Sequence, residues 1–198
     1  MLFERLLVYD DRNRENAATN MATDEALLEW SADPALRFYG WERPSLSFGY
    51  FGKFLEVSAE SDDRDLVRRW TGGGSVPHGN DLTYSLITPA AEPAFAEGPD
   101  AIYAAVHAAI CDALREEGRG AELASAAAPR ISDACFANPV RHDVLIEGKK
   151  IAGAAQRRTR RGFLHQGSIQ VAGLSPFFRE RFSHALAGRG GAIPTATR

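Results

Sequence analysis

Three consecutive glycines, Gly72-Gly73-Gly74, sit in the stretch RRWTGGGSVPHGNDLTYS between Arg68 and Ser85. Glycine loses more backbone entropy on folding than any other residue, so such a run needs a reason: left-handed backbone angles, or something approaching the main chain closely. Two readings follow. The run is a turn between strands, or it is a loop whose bare N–H groups face an anionic or carbonyl ligand. It is not a nucleotide-binding loop of the Walker type, because no Gly-Lys-Ser/Thr ends it, and the GxGxxG spacing is missing as well. Arg68 and Arg69 lead into the run as neighbours on a strand, so they point to opposite sides and at most one can face the same ligand.

A chain of 198 residues has the size of one domain with a substantial core. Its net charge of -3 argues against nucleic acid as a partner. No stretch is long and apolar enough to span a membrane, and the start, MLFERLLVYDDRNREN, lacks the pattern of a secretory leader. Two cysteines, Cys111 and Cys135, form neither a disulfide framework nor a zinc set, so the expected compartment is a reducing cytoplasm. The histidines show no metal-ligand spacing, and no metal is expected.

The pattern of apolar residues predicts strands over LLVYD, ALRFYGW, SLSFGYF, LVRRW and LTYSLIT. A helix is expected over NMATDEALLEW, with Asn20 or Thr23 as its cap. The clearest helix begins near Pro99, repeats Ile102, Val106, Ile110 and Leu114 at helical spacing, and stops at Gly118. AELASAAAPRISDA reads as a loop. The segment from Asp143 to Val171 is β-rich, with turns at Glu147-Gly148 and near Arg161-Gly162. A last helix is expected over SPFFRERFSHAL, capped by Ser175 with Pro176 at its first position. Helices and strands intermingle without βαβ periodicity, which predicts an α+β domain with mixed, mostly antiparallel sheets flanked by helices.

In GKKIAGAAQRR, Lys149 and Lys150 alternate across a strand, so one can face inward, beside small neighbours that leave room for a ligand. The commoner fate of such lysines is a solvated hairpin. The run RRTRR, Arg157 to Arg161, reads as a solvated hairpin tip. Cys111 falls within the long helix and is structural. Cys135 is either a small buried hydrophobe or a reactive thiolate, the latter needing positive charge nearby.

Taken together and in this order, NMATDEALLE, LRFYGWERPSLSFGYF, RRWTGGGSVPH and GKKIAGAAQRR…LHQGSI resemble the biotin/lipoate protein ligase superfamily, specifically its lipoate–protein ligase A and octanoyltransferase group. The resemblance covers most of the chain. It implies a single biotin/lipoate-ligase-like catalytic domain over residues 1–198, with no C-terminal accessory domain. It also implies a reaction that joins a medium-chain acyl group to one lysine of a lipoyl domain. Matched residue by residue, it makes Lys150 the essential lysine. It places Arg69, Gly72, Gly73, Gly74, Ser75 and His78 in the acyl- or adenylate-binding loop. Gly153, Ala154, Ala155, His165 and Gly167 follow in the lysine hairpin.

Two mechanisms are implied. A ligase would activate lipoate with ATP-Mg as an acyl-adenylate. A cysteine-dependent octanoyltransferase would draw on octanoyl-carrier protein through a thioester on Cys135, because CFANPVRHDVLIEGKKIAG resembles that branch. The three-glycine loop resembles the ligases, and Gly79 stands where many of them carry Asp, with Asp81 two positions on. The implied partners are lipoyl domains of 2-oxoacid dehydrogenase complexes or the glycine cleavage H protein, with acyl carrier protein as a further one; no bound prosthetic group is expected. A reading of another class is a non-catalytic module that holds lipoate or docks lipoyl domains.

Overall fold

The computed structural model describes residues 1–59, 61–127 and 139–195. In chain order, the strands are β1 (Leu6–Asp10), β2 (Ala35–Tyr39), β3 (Ser45–Phe48), β4 (Asp65–Arg68), β5 (Val76–His78), β6 (Leu82–Pro89), β7 (Ala121–Leu123), β8 (Val144–Ile146), β9 (Lys149–Arg158), β10 (Gly162–Ile169) and β11 (Ala192–Thr195). The helices are α1 (Ala17–Trp30), α2 (Phe54–Ser58), α3 (Pro99–Arg115) and α4 (Phe178–Gly191). Eight strands form one sheet in the order β11-β1-β2-β6-β10-β9-β8-β7, and β4-β3-β5 form a second. Pairing is antiparallel except at β1–β11, β1–β2 and β3–β4, as expected of a mostly antiparallel α+β fold.

Both faces of the large sheet are covered, so its central strands are buried throughout rather than alternating apolar with solvated residues. Phe38, Tyr84 and Leu86 face α3 and α4, where they join Ile102, Val106, Ile110, Phe178 and Phe182 in the main core. Arg37, Tyr39 and Ser85 face the other way, toward α1. This alternation places polar side chains from neighbouring strands under α1 and the small sheet.

Helix α1 starts earlier than expected. Asn16 is its cap and accepts from the Thr19 amide at 2.9 Å. The residues expected to cap it lie inside: the Asn20 amide donates to Gly40 O at 2.9 Å and accepts from Arg37 at 2.8 Å, while Thr23 bonds back to Thr19 O. Helix α4 begins at Phe178 rather than at Pro176, because Ser175 gives its amide and hydroxyl to Glu117 instead of capping the helix. It extends through a kink at Gly188, where φ is 68°. The segment expected to be a loop opens with strand β7, paired to β8, and α2 and β11 were not expected at all. The arginine run is also not simply solvated. Arg157 packs against the stacked rings of Tyr50 and Trp70, 4.5 Å from each centroid, and Arg158 covers Phe95.

Candidate active site

The glycine loop bridges β4 and β5 and crosses the end of β3. Arg69 is buried at its entrance while Arg68 is exposed, so one of the two faces inward, as alternation requires. Arg69 Nη2 donates to Gly72 O at 2.9 Å and Gly74 O at 2.8 Å. A peptide unit points its C=O and N–H in opposite directions, so the amides of Gly73 and Ser75 are turned away from the guanidinium. Gly73 has φ of 86°, which glycine adopts without penalty. The loop lies so close to Gly49 that a Cβ there would stand 2.1 Å from Gly73 O.

Across from this loop stands the β9–β10 hairpin. Lys149 is exposed, whereas the Lys150 side chain is 3% exposed and its Nζ lies 2.8 Å from Asp143 Oδ2. Asp143 is completely buried and accepts from the Tyr103 hydroxyl at 2.5 Å and the Val140 amide at 2.7 Å. The Tyr103 hydroxyl in turn accepts from the Ala154 amide at 3.2 Å. Burial, then Asp143, push the Tyr103 phenol far above its ordinary value, so it remains a donor. A Cβ on Gly153 would stand 2.7 Å from Lys150 Nζ, so this glycine leaves the space the ammonium uses.

Between loop and hairpin runs a narrow cavity with a free volume of about 30 Å³. Arg69, Val76 and His78 line it from the loop side, and Gly153, Ala154 and Ala155 from the hairpin. Its remaining wall comes from residues that lie within the quoted motifs but were not expected at the site, among them Met21, Tyr39, Trp41, Ser47 and Gln166. Beneath it, Asp24 is fully buried and accepts from Arg37 (2.8 Å), Ser85 (2.7 Å), Gln166 (2.7 Å) and Tyr39 (3.0 Å). Thr71, just ahead of the glycines, donates to Gln166 at 2.8 Å. The loop is thereby tied through Gln166 to the helix α1 carboxylate.

His78 stacks on Trp41, with centroids 4.1 Å apart and planes at 18°. Its Nδ1 lies 2.8 Å from Asp81 Oδ2 and its Nε2 2.6 Å from Ser47 Oγ. Asp81 also accepts from Thr83 and Ser168, at 2.8 and 2.7 Å. Burial pushes the His78 imidazole below its ordinary value, against the pull of Asp81. Burial alone would raise the Asp81 carboxyl, but its hydrogen bonds from His78, Ser168 and Thr83 hold it low. On the far side of the Trp41–His78 stack, an open cleft of about 530 Å³ is lined by Arg14, Arg43, Arg64 and Asp81, among others.

Of the expected site residues, Gly72, Gly73, Gly74, Ser75, Lys150 and His165 are not among those that line this cavity. The His165 side chain faces the α3 side of the sheet, where it bonds Tyr84 at 3.1 Å and Gln156 at 3.0 Å, away from the cavity. Strand alternation accounts for this: Gln166 and Ser168, its neighbours on the other face, point to the cavity side. Gly167 touches the cavity with its backbone, and a Cβ there would enter the Tyr84 ring. Cys135 lies outside the described residues. Among the described residues no cluster of three or more metal-ligating side chains occurs, and no helix is long and apolar enough to cross a membrane.

Residues 16–190 match the family described as the lipoyl protein ligase A/B catalytic domain. Octanoyltransferase LipM of Geobacillus kaustophilus is 40% identical over 169 residues, covering 77% of this chain and 60% of its own. LipM of Bacillus subtilis is 36% identical over 176 residues, covering 80% and 63%. The chain thus spans about 60% of the length of these curated relatives. Among solved structures, protein Ta0514 of T. acidophilum with bound lipoic acid superposes with a TM-score of 0.71 at 22% identity, covering 98% of this chain and 89% of that one. A lipoate-protein ligase A bound with ATP gives 0.69 at 24% identity, covering 98% and 88%; at these identities the likeness shows the fold. With the family match extending from the cap of α1 to the end of α4, the chain belongs to the lipoyl protein ligase A/B catalytic-domain family.

Proposed function

We propose that this protein is a protein-lipoylation enzyme that transfers an octanoyl group from an octanoyl-carrier protein to a lysine of a lipoyl domain. The observation that carries the reading is the joining of the two motifs at one buried cavity. Arg69, Val76 and His78 line it from the glycine-loop side, and Gly153, next to the Lys150 ammonium that the buried Asp143 anchors, from the hairpin side. Acyl transfer needs a carbonyl oxygen polarised and a leaving group stabilised, and a preorganised cation and main-chain N–H groups supply both without reorganising. Asp143 fixes where Lys150 Nζ stands; Lys150 polarises the carbonyl oxygen. The apolar stretch of the wall receives the acyl chain. At about 30 Å³ the cavity has room for about two waters, so the octanoyl chain enters as side chains shift, with flexible Met21 the readiest to yield.

The octanoyltransferase relatives favour transfer over adenylation, and Cys135 is the nucleophile in that reading. Its thiolate attacks the carrier thioester, releases the carrier thiol, and holds the octanoyl group until the lipoyl lysine displaces it. The second reading is lipoate ligation with ATP-Mg, which the three-glycine loop favours. Intact mass of the protein after incubation with octanoyl-carrier protein separates the two. The transferase route gives an octanoyl adduct that hydroxylamine releases and Cys135→Ala abolishes. No adduct, with full ATP-dependent lipoylation by Cys135→Ala, would establish the ligase instead.

A further inference from the structure

We propose that Tyr103 and His107, one turn apart on α3, are positioning residues that hold the Lys150 ammonium in place for acyl transfer; this rests on the acyl-transfer reading above. Asp143 anchors Lys150, but a buried carboxylate stands only as firmly as its own partners hold it. Those partners lead across the sheet to α3, a helix that carries none of the residues expected at the site.

Positions four apart on a helix share a face, and here that face meets two consecutive residues of the chain. The Tyr103 hydroxyl donates to Asp143 Oδ1 at 2.5 Å, while Lys150 Nζ and the Val140 amide take Oδ2 at 2.8 and 2.7 Å. Among the described residues, Oδ1 has no other donor. The same hydroxyl accepts from the Ala154 amide at 3.2 Å, and Ala154 lines the acyl cavity. One phenol oxygen thus ties the cavity wall to the carboxylate that holds the ammonium.

His107 acts one residue earlier. Its Nδ1 lies 2.7 Å from His142 O, and a carbonyl only accepts, so Nδ1 carries the hydrogen. His142 has φ of 69°, the left-handed region that a residue with a Cβ seldom enters. The His142 amide bonds Ala124 O at 2.8 Å and the Asp143 amide bonds Val140 O at 3.0 Å, so the turn presenting Asp143 is gripped from several sides. The His107 ring is fully buried, and its Nε2 has no partner among the described residues. A purely apolar ring would avoid that cost; what the imidazole contributes is the Nδ1 bond. Its ring also meets the Tyr103 ring edge to face, with centroids 4.1 Å apart.

Neither residue lines the acyl cavity, so their effect on transfer passes through Asp143 and Lys150. Without the phenol oxygen, Asp143 Oδ1 loses its donor and the Ala154 amide loses its acceptor. The carboxylate can then turn toward that amide, and the ammonium moves with it. A displacement of about 1 Å at a reacting group can cost about 100-fold in rate. The loss falls on kcat, because Tyr103 adds nothing to the cavity wall.

Tyr103→Phe keeps the ring and removes only the hydroxyl. With octanoyl-carrier protein and a lipoyl domain as substrates, it should lower kcat by about 10- to 100-fold and leave KM for both within about twofold. His107→Leu should slow transfer in the same way. His107→Asn, whose amide can place an N–H near the Nδ1 position, should restore most of the rate. A second readout does not depend on turnover: brief acetylation with acetic anhydride, followed by peptide mass spectrometry, reports buried Lys150 against exposed Lys149 in one peptide. In Tyr103→Phe, Lys150 should label several-fold faster than in the wild type, with Lys149 unchanged. If Tyr103→Phe does not fold, the His107 pair is judged by the same measurements. A wild-type kcat, a rise in KM that accounts for the loss, or unchanged Lys150 labelling overturns the proposal. If the wild type acylates the lipoyl domain neither from octanoyl-carrier protein nor from lipoate with ATP-Mg, the acyl-transfer reading falls; the labelling then decides by itself whether α3 holds the ammonium.

Discussion

Gly49→Ala tests the geometry of the glycine loop most sharply. The added Cβ would stand 2.1 Å from Gly73 O, 2.8 Å from Gly72 C and 2.9 Å from Gly72 O, all backbone atoms. Real Cβ atoms keep at least 3.0 Å, so the Gly73 carbonyl must retreat by roughly 0.9 Å, the difference between 3.0 and 2.1 Å. The loop cannot retreat as a unit without lengthening the bonds from Arg69 Nη2 to Gly72 O and Gly74 O. Each charge-assisted hydrogen bond contributes about 1.5–3 kcal/mol, so losing one or both costs about 1.5–6 kcal/mol. For a chain of this size about 1 kcal/mol shifts Tm by about 2–4 °C, which predicts a fall of about 3–24 °C. Thermal unfolding followed by circular dichroism measures it, with acyl transfer to a lipoyl domain as the functional readout, expected to be lost. A variant with wild-type Tm and wild-type transfer would refute the close crossing of β3 by the loop.

Lys150→Ala should reduce acyl transfer by about 100- to 1,000-fold, the usual cost of one preorganised electrostatic group, while Lys149→Ala, exposed on the hairpin, should be mild; equal losses would reject the assignment. Gly153→Ala places a Cβ 2.4 Å from Lys150 Cε, the flexible end of that side chain, so the protein should fold normally but transfer poorly, and normal kcat in this variant would count against the anchored position of Lys150. Stability should depend on pH through His78, His107 and His165, which burial pushes below the ordinary 6.5, His107 to about 4. Their rings stay neutral in the fold while the unfolded chain takes up protons, so this stability is complete above pH 6.5 and is lost as pH falls. His107 alone gives a slope approaching about 1.4 kcal/mol per pH unit near pH 5, and His78 and His165 add to it in the same direction, which urea unfolding at stepped pH would detect; a flat profile between pH 7 and 5 would contradict their burial as neutral rings.

What the sequence disclosed was the chemistry that is local along the chain. The inward turn of Arg69 and Lys150 follows from strand alternation, and the spacing of Ile102, Val106, Ile110 and Leu114 defines α3. The partners that make those residues work come from far away. Ser47 meets His78 across 31 positions, Tyr103 reaches Asp143 across 40, and Gln166 reaches Asp24 across 142. No spacing rule encodes such contacts. Asp143 could have been suspected, as the carboxylate preceding the lysine hairpin, and Gly49 from the glycine at the end of an aromatic strand. The start of α4 was misplaced for a physical reason: Ser175 and Pro176 have the residue types of a helix start, but Glu117 draws the serine into a tertiary contact. His165 was carried to the site by its place in the hairpin motif, and the two-residue period of the strand turns it to the other face.

The central claim is that the cavity between the glycine loop and the hairpin acylates a lipoyl-domain lysine. The most direct measurement is intact mass spectrometry of a lipoyl domain incubated with this protein, with octanoyl-carrier protein in one arm and lipoate with ATP-Mg in the other. The account predicts an octanoyl addition on one lysine in the first arm, absent with Lys150→Ala. No acylation in either arm, or acylation that persists in Lys150→Ala, would contradict it.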